Sequence, residues 1–118
     1  MNLNELLIKL LGITGLPVKQ DEYTGGSGKY IIFTYEDETP AAYADNKVSE
    51  DTAYMQIQLI TPKGYDYFDL KKKIRGLLEG AGFSVTSTRS FLGNVAVGTE
   101  KTRQTVFEVT YTEPRKEN

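Results

Sequence analysis

Tyr54-Met55-Gln56-Ile57-Gln58-Leu59-Ile60-Thr61 alternates apolar and polar side chains over most of its length. Successive side chains of an extended chain point to opposite faces, so Met55, Ile57 and Leu59 share one face and Tyr54, Gln56 and Gln58 the other. A strand over 53–61 follows, one face turned to a core and the other wetter. The rest of the chain has to supply its sheet partners and the cover for its apolar side.

Toward the C-terminus, Pro62 and Gly64 interrupt the strand, and a helix begins with Asp66 as its expected N-cap and Asp69 in the first turn, where a carboxylate suits the positive end of the helix dipole. Tyr67, Leu70, Ile74, Leu77 and Leu78 form its apolar stripe, and Gly80 and Gly82 end it. Residues 83–87 read as a strand, and 90–99 as a long connection carrying Phe91, Leu92, Val95 and Val97. Residues 103–112 read as a closing strand with Phe107, Val109 and Tyr111 on one face. The polar ending 113–118, with Pro114, reads as a frayed tail after a single domain over 1–112.

Toward the N-terminus, 41–47 is a weaker strand candidate, set off by a charged turn at Ser49, Glu50 and Asp51. Residues 29–36 are dense in β-branched and aromatic residues with apolar positions on both parities, as in an inner strand covered on both faces. Residues 21–28 form a polar, glycine-rich connector expected to be mobile. Before it, 16–20 is a short extended piece. Leu3, Leu6, Leu7, Leu10 and Leu11 recur at the spacing of one helical stripe, with Asn2 or Asn4 as cap and Gly12 as stop. The order α-β-β-β-α-β-β predicts an α+β domain, with two helices on one face of a mostly antiparallel or mixed sheet of four to five strands.

Composition narrows the chemistry. At 118 residues, with 39% hydrophobic and 25% charged residues, the chain is long enough for one core and too apolar for a disordered class. It contains no His and no Cys, which removes the commonest general base, thiolate chemistry, disulfides and sulfur-based zinc sites. The net charge of −2 supplies no long-range attraction to nucleic acid. The apolar stretch 3–11 is too short and too charged to span a bilayer, and it lacks the basic start of a signal peptide.

Gly25-Gly26-Ser27-Gly28-Lys29 superficially resembles a phosphate loop. A P-loop requires glycine where Tyr23 stands, Ser or Thr where Tyr30 stands, and a helix where a strand is expected, so this segment reads as a loop. The acidic groups Asp21-Glu22, Glu36-Asp37-Glu38, Glu50-Asp51 and Asp66 with Asp69 sit at expected turns and caps, and none has calcium-loop spacing. Lys71-Lys72-Lys73 with Arg75 reads mainly as a solvated helix face spread around the exposed arc, with docking to an acidic partner as the other reading. No catalytic residue, cofactor site or metal site is expected, and the chain reads as a non-enzyme.

Two features suit assembly. Eight tyrosines with no tryptophan include Tyr30, Tyr35, Tyr43 and Tyr54 at strand positions; tyrosine favours wet, partly apolar interfaces, although it also has high strand propensity. The 91–97 segment carries more apolar surface than an exposed loop requires, and reads either as an interface arm or as a hairpin completing the core. Tyr43, Tyr54, Phe91, Leu92, Val95 and Val97 are the candidate interface residues.

The run Tyr43-Ala44-Asp45-Asn46-Lys47, an acidic turn, the strand YMQIQLIT and a Gly/Asp-started helix ending in Gly-Phe resemble the tail-completion, or tail-terminator, proteins of long-tailed phages and prophages. The resemblance follows the order of elements over 3–111. It implies a ring of identical subunits, often six, that caps the tail tube and joins the head, with tail-tube and connector proteins as partners. It implies a virion component assembled in the bacterial host cytoplasm, with no cofactor and no binding to nucleic acid or membrane. Another neck component and a cellular module binding a small ligand or peptide are the alternative expectations.

Overall fold

The computed structural model describes the backbone of residues 2–44, 47–97 and 100–114, and the side chains of 2–36, 52–93 and 102–112. Helix α1 (Leu3–Leu11) runs into a short 3-10 turn (Gly12–Thr14), followed by strands β1 (Val18–Gln20), β2 (Tyr30–Ala44) and β3 (Lys47–Pro62), helix α2 (Phe68–Gly80), and strands β4 (Ser84–Val97) and β5 (Glu100–Pro114). The five strands form one sheet in the order β1-β2-β3-β5-β4. Only the β1–β2 pairing is parallel, so the sheet is mixed and the fold is α+β.

Both helices lie on the same face. Leu7 and Leu11 of α1 and Ile74 and Leu78 of α2 join Ile31, Phe33, Met55, Ile57, Leu59, Phe107 and Val109 in a single buried cluster. The alternation around Ile57 therefore works as expected, with Met55, Ile57 and Leu59 fully buried and Gln56 and Gln58 half-buried on the other face. Each fully buried aliphatic side chain contributes about 1.5–3 kcal/mol relative to exposure, so the α-to-sheet layer is the main stabilising contact. The expectation of two covered faces for 29–36 does not hold: Ile31 and Phe33 are buried under the helices, whereas Ile32 and Thr34 are half-buried on the helix-free side.

The helix ends follow local chemistry. Asn2 caps α1, its Oδ1 accepting from the Glu5 N–H at 2.8 Å, while Asn4 turns to Gln20 and Tyr35. Asp66 does not occupy the N-cap of α2. Tyr67 does, without a side-chain bond, and Asp66 accepts from Phe68 N–H at 3.2 Å one residue out. At the far end Gly82, at φ 94°, donates to Glu79 O and Phe83 N–H donates to Leu78 O. This is a Schellman closure, and Phe83 packs in the same core as Leu78.

The strands are longer than the sequence pattern indicated. Residues 30–36 and 41–44 belong to one strand, and Glu50 and Asp51, expected in a turn, pair in β3 with Ala42 and Pro40. The 90–97 stretch is strand rather than connection, paired to β5 through Phe91↔Gln104 and Val97↔Glu100. At the C-terminus the last strand runs to Pro114, so Glu113 and Pro114 pair with Asp51 and Glu50; residues 115–118 of the expected tail lie outside the described residues. The glycine-rich 21–28 connector is tied down: the Tyr23 ring stacks on Tyr30 at 4.5 Å, and its hydroxyl accepts from Ser27 N–H at 3.0 Å.

These long ladders shape the molecule. Its extents are 57 × 24 × 23 Å and its radius of gyration is 15.9 Å, where a compact chain of this length has about 13–14 Å. Among the described residues, no helix is long and apolar enough to cross a membrane.

Candidate functional site

The antiparallel register sends the two hairpins to opposite ends. The β2–β3 ladder continues from Glu38↔Ala53, the last rung with a core side chain, to Ala44↔Lys47, and at about 3.3 Å per residue this carries the arm some 20 Å beyond it. The β4–β5 ladder leaves at the other end, past Gly93↔Thr102 to Val97↔Glu100.

Strand order leaves two unlike edges. Among the described residues β4 pairs only with β5, so its outer edge has no described strand partner over Ser84–Val97. β1 covers β2 at Ile31, Ile32 and Phe33, and among the described residues the outer edge of β2 has no strand partner from Thr34 to Ala44. Unpaired N–H and C=O rows template further strand pairing unless guarded. The β2 edge carries Pro40, which lacks an N–H, two bulges around it, and the acids Glu36, Asp37 and Glu38. The β4 edge has two bulges but a single charged residue, Arg89.

The helix-free face is polar at its centre. Gln56 Nε2 donates to Glu108 Oε1 at 2.9 Å, and Arg89 lies 3.8 Å from the same carboxylate. The Glu36 carboxyl is raised above its usual range, first by hydrogen bonding with Glu108, then by desolvation and by the negative charge of Glu108, with Arg89 opposing.

On the opposite face α2 leaves a cleft of about 220 Å³ against β4 and β5, lined by Phe68, Lys71, Lys72, Arg75, Thr88 and Phe107. Phe68 is 57% exposed at its mouth. The Thr88 hydroxyl is buried there with no hydrogen-bond partner among the described residues. Arg75 pairs with Glu79 at 2.7 Å; Lys71 and Lys72 are in no ion pair among the described residues. The expectation that the basic run scatters around the helix is thus corrected for Lys71, Lys72 and Arg75, while Lys73 stays outside the cleft. Phe68, Lys71, Lys72 and Arg75 stand at i, i+3, i+4 and i+7, which places them on one helix face, and that spacing was visible in the sequence.

The six candidate interface residues are not gathered into one patch. Tyr54 and Phe91, 41% and 43% exposed, share the helix-free face, but their partners Thr110 and Gln104 are six residues apart along β5, about 20 Å. Leu92, 43% exposed, points to the helix side opposite Arg103, whose guanidinium sits 5.1 Å from the Tyr67 ring. Tyr43 pairs with Val48 in the distal arm, and its side chain, like those of Val95 and Val97, lies outside the described residues. No group of His, Cys, Asp and Glu able to hold a metal occurs among the described residues.

No protein-family profile matches the chain, and no curated protein matches it by sequence. Nineteen chains of solved structure are similar to it. One superimposes with a TM-score of 0.53 over 97% of this chain and 92% of its own length, at 13% identity. That similarity concerns the fold.

Proposed function

We propose that this chain is a structural assembly protein of the tail-terminator kind, self-associating into a ring that caps a phage or prophage tail tube and joins it to the head. The supporting observation is the pair of unlike free edges on opposite sides of one sheet. A ring needs a heterologous interface, in which one patch meets a different patch on the next copy, and rotation closes the series. The lightly guarded β4 edge and the overhanging β2–β3 arm form such a pair. The resemblance of 43–61 and of the element order to phage tail-completion proteins supplies the tail as the setting.

A role in binding a small ligand has less support. The 220 Å³ cleft is smaller than the roughly 300–1,000 Å³ of ordinary ligand pockets, and the chain lacks His and Cys for chemistry there. Another head–tail connector would use the same surfaces with a different neighbour.

Sedimentation velocity over a concentration series tests the proposal. A single larger species that grows at the expense of monomer is expected. Replacing the exposed Phe91 and Leu92 on β4 by Glu should shift the equilibrium toward monomer at unchanged helix and strand content.

A further inference from the structure

We infer that the cation-rimmed cleft between α2 and β4 is the socket for the acidic β2–β3 arm of a second copy of this chain; the inference rests on the assembly reading above and names the contacts that would hold it.

The socket has the features of an acid-binding groove. Phe107 gives it an apolar floor, Phe68 forms its apolar lip, and Lys71, Lys72 and Arg75 rim it. Lys71 and Lys72 are not neutralised by any described neighbour. The arm is the complement. Asp37 and Glu38 pair opposite Tyr54 and Ala53, while Glu50 and Asp51 pair opposite Ala42 and Pro40, so the register concentrates four acids within a few rungs, against Lys47 alone among the cations of the arm.

The contact must be made between copies. Phe107 fixes the cleft at the level of Ile57 on β3, and the arm leaves from that level in the opposite direction to the β4–β5 hairpin, reaching Lys47 about 33 Å away along a continuous strand. A chain cannot fold this arm back onto its own cleft without breaking the ladder. The cleft also adjoins the free β4 edge, so an arm seated there would lie alongside the strand row that lacks a partner. Opposite charges on the two surfaces steer and orient the encounter and disfavour head-to-head pairing, where like charges meet.

Two charge-reversal variants test it. One carries Lys71→Glu, Lys72→Glu and Arg75→Glu; the other carries Asp37→Lys, Glu38→Lys, Glu50→Lys and Asp51→Lys. Each alone places like charges on socket and arm, and each should weaken self-association at least 10-fold. Mixed in equal amounts, they present complementary pairs at every junction and should recover assemblies containing even numbers of subunits. A charge-neutral socket variant with Gln at the same three positions, checked by circular dichroism, separates lost contact from lost fold and should show an intermediate loss. If the single variants assemble like the wild type, the socket is wrong while the assembly reading stands. If the wild type itself never assembles, the assembly reading fails and takes the socket with it.

Discussion

Gln56 Nε2 donates to Glu108 Oε1 at 2.9 Å across β3 and β5, on the helix-free face of the sheet, and Arg89 lies 3.8 Å from the same carboxylate. Hydrogen bonding with Glu108 favours the protonated form of the Glu36 carboxyl and, with desolvation and the like charge, raises it above its ordinary value.

This pairing sets a pH dependence. A carboxyl whose folded pKa is raised binds its proton more tightly in the folded state, so its stabilising contribution is complete below the ordinary value of 4.5 and is lost as pH rises through the raised value. Glu36→Gln should therefore flatten the stability profile just above pH 4.5 and leave the protein slightly more stable at pH 7. Because Glu36 is exposed, solvent screening keeps the effect small. Urea melts between pH 4 and pH 7 measure it.

Ile57 and Phe107 face each other across β3 and β5, both fully buried. Phe107→Ala should cost about 3–5 kcal/mol through lost burial and the cavity left behind. Tyr54→Ala, at a 41% exposed position, should cost under about 1 kcal/mol. Chemical denaturation of the two variants side by side checks the contrast, which follows from only one face being covered by helices.

Gly82 closes α2 in the left-handed region at φ 94°. Any side chain there is strained, and Gly82→Ala should destabilise by about 1–2 kcal/mol. At the first helix, Asn2→Ala removes the bond to Glu5 N–H and should cost about 1 kcal/mol. Thermal melts followed by circular dichroism measure both.

Local signals were enough for the core and insufficient for the edges. The leucine spacing of α1, the stripe of α2 and the alternation around Ile57 each state their own geometry, and the structure builds one layer from them. The distal arm was hidden because Glu36 to Glu38, Pro40 and the acids at 50 and 51 are residues that favour turns, whereas here they lie within the β2–β3 ladder past Tyr35↔Met55. The 91–97 segment, expected as an arm or a hairpin, is likewise continuous strand, and pairing with β5 carries it past Gly93 with a bulge. The cleft joins Phe68 to Thr88 and Phe107, and no pattern within one segment encodes a meeting of three. Its helical half, Phe68 with Lys71, Lys72 and Arg75, was legible as a face.

If unlike edges of one sheet join copies of this chain into a closed ring, negative-stain electron microscopy of concentrated protein should show annular particles of one diameter. These should disappear in the socket-reversal variant and return when it is mixed with the arm-reversal variant. Fields of wild-type protein showing only single elongated particles about 57 Å long, at every concentration, would contradict it.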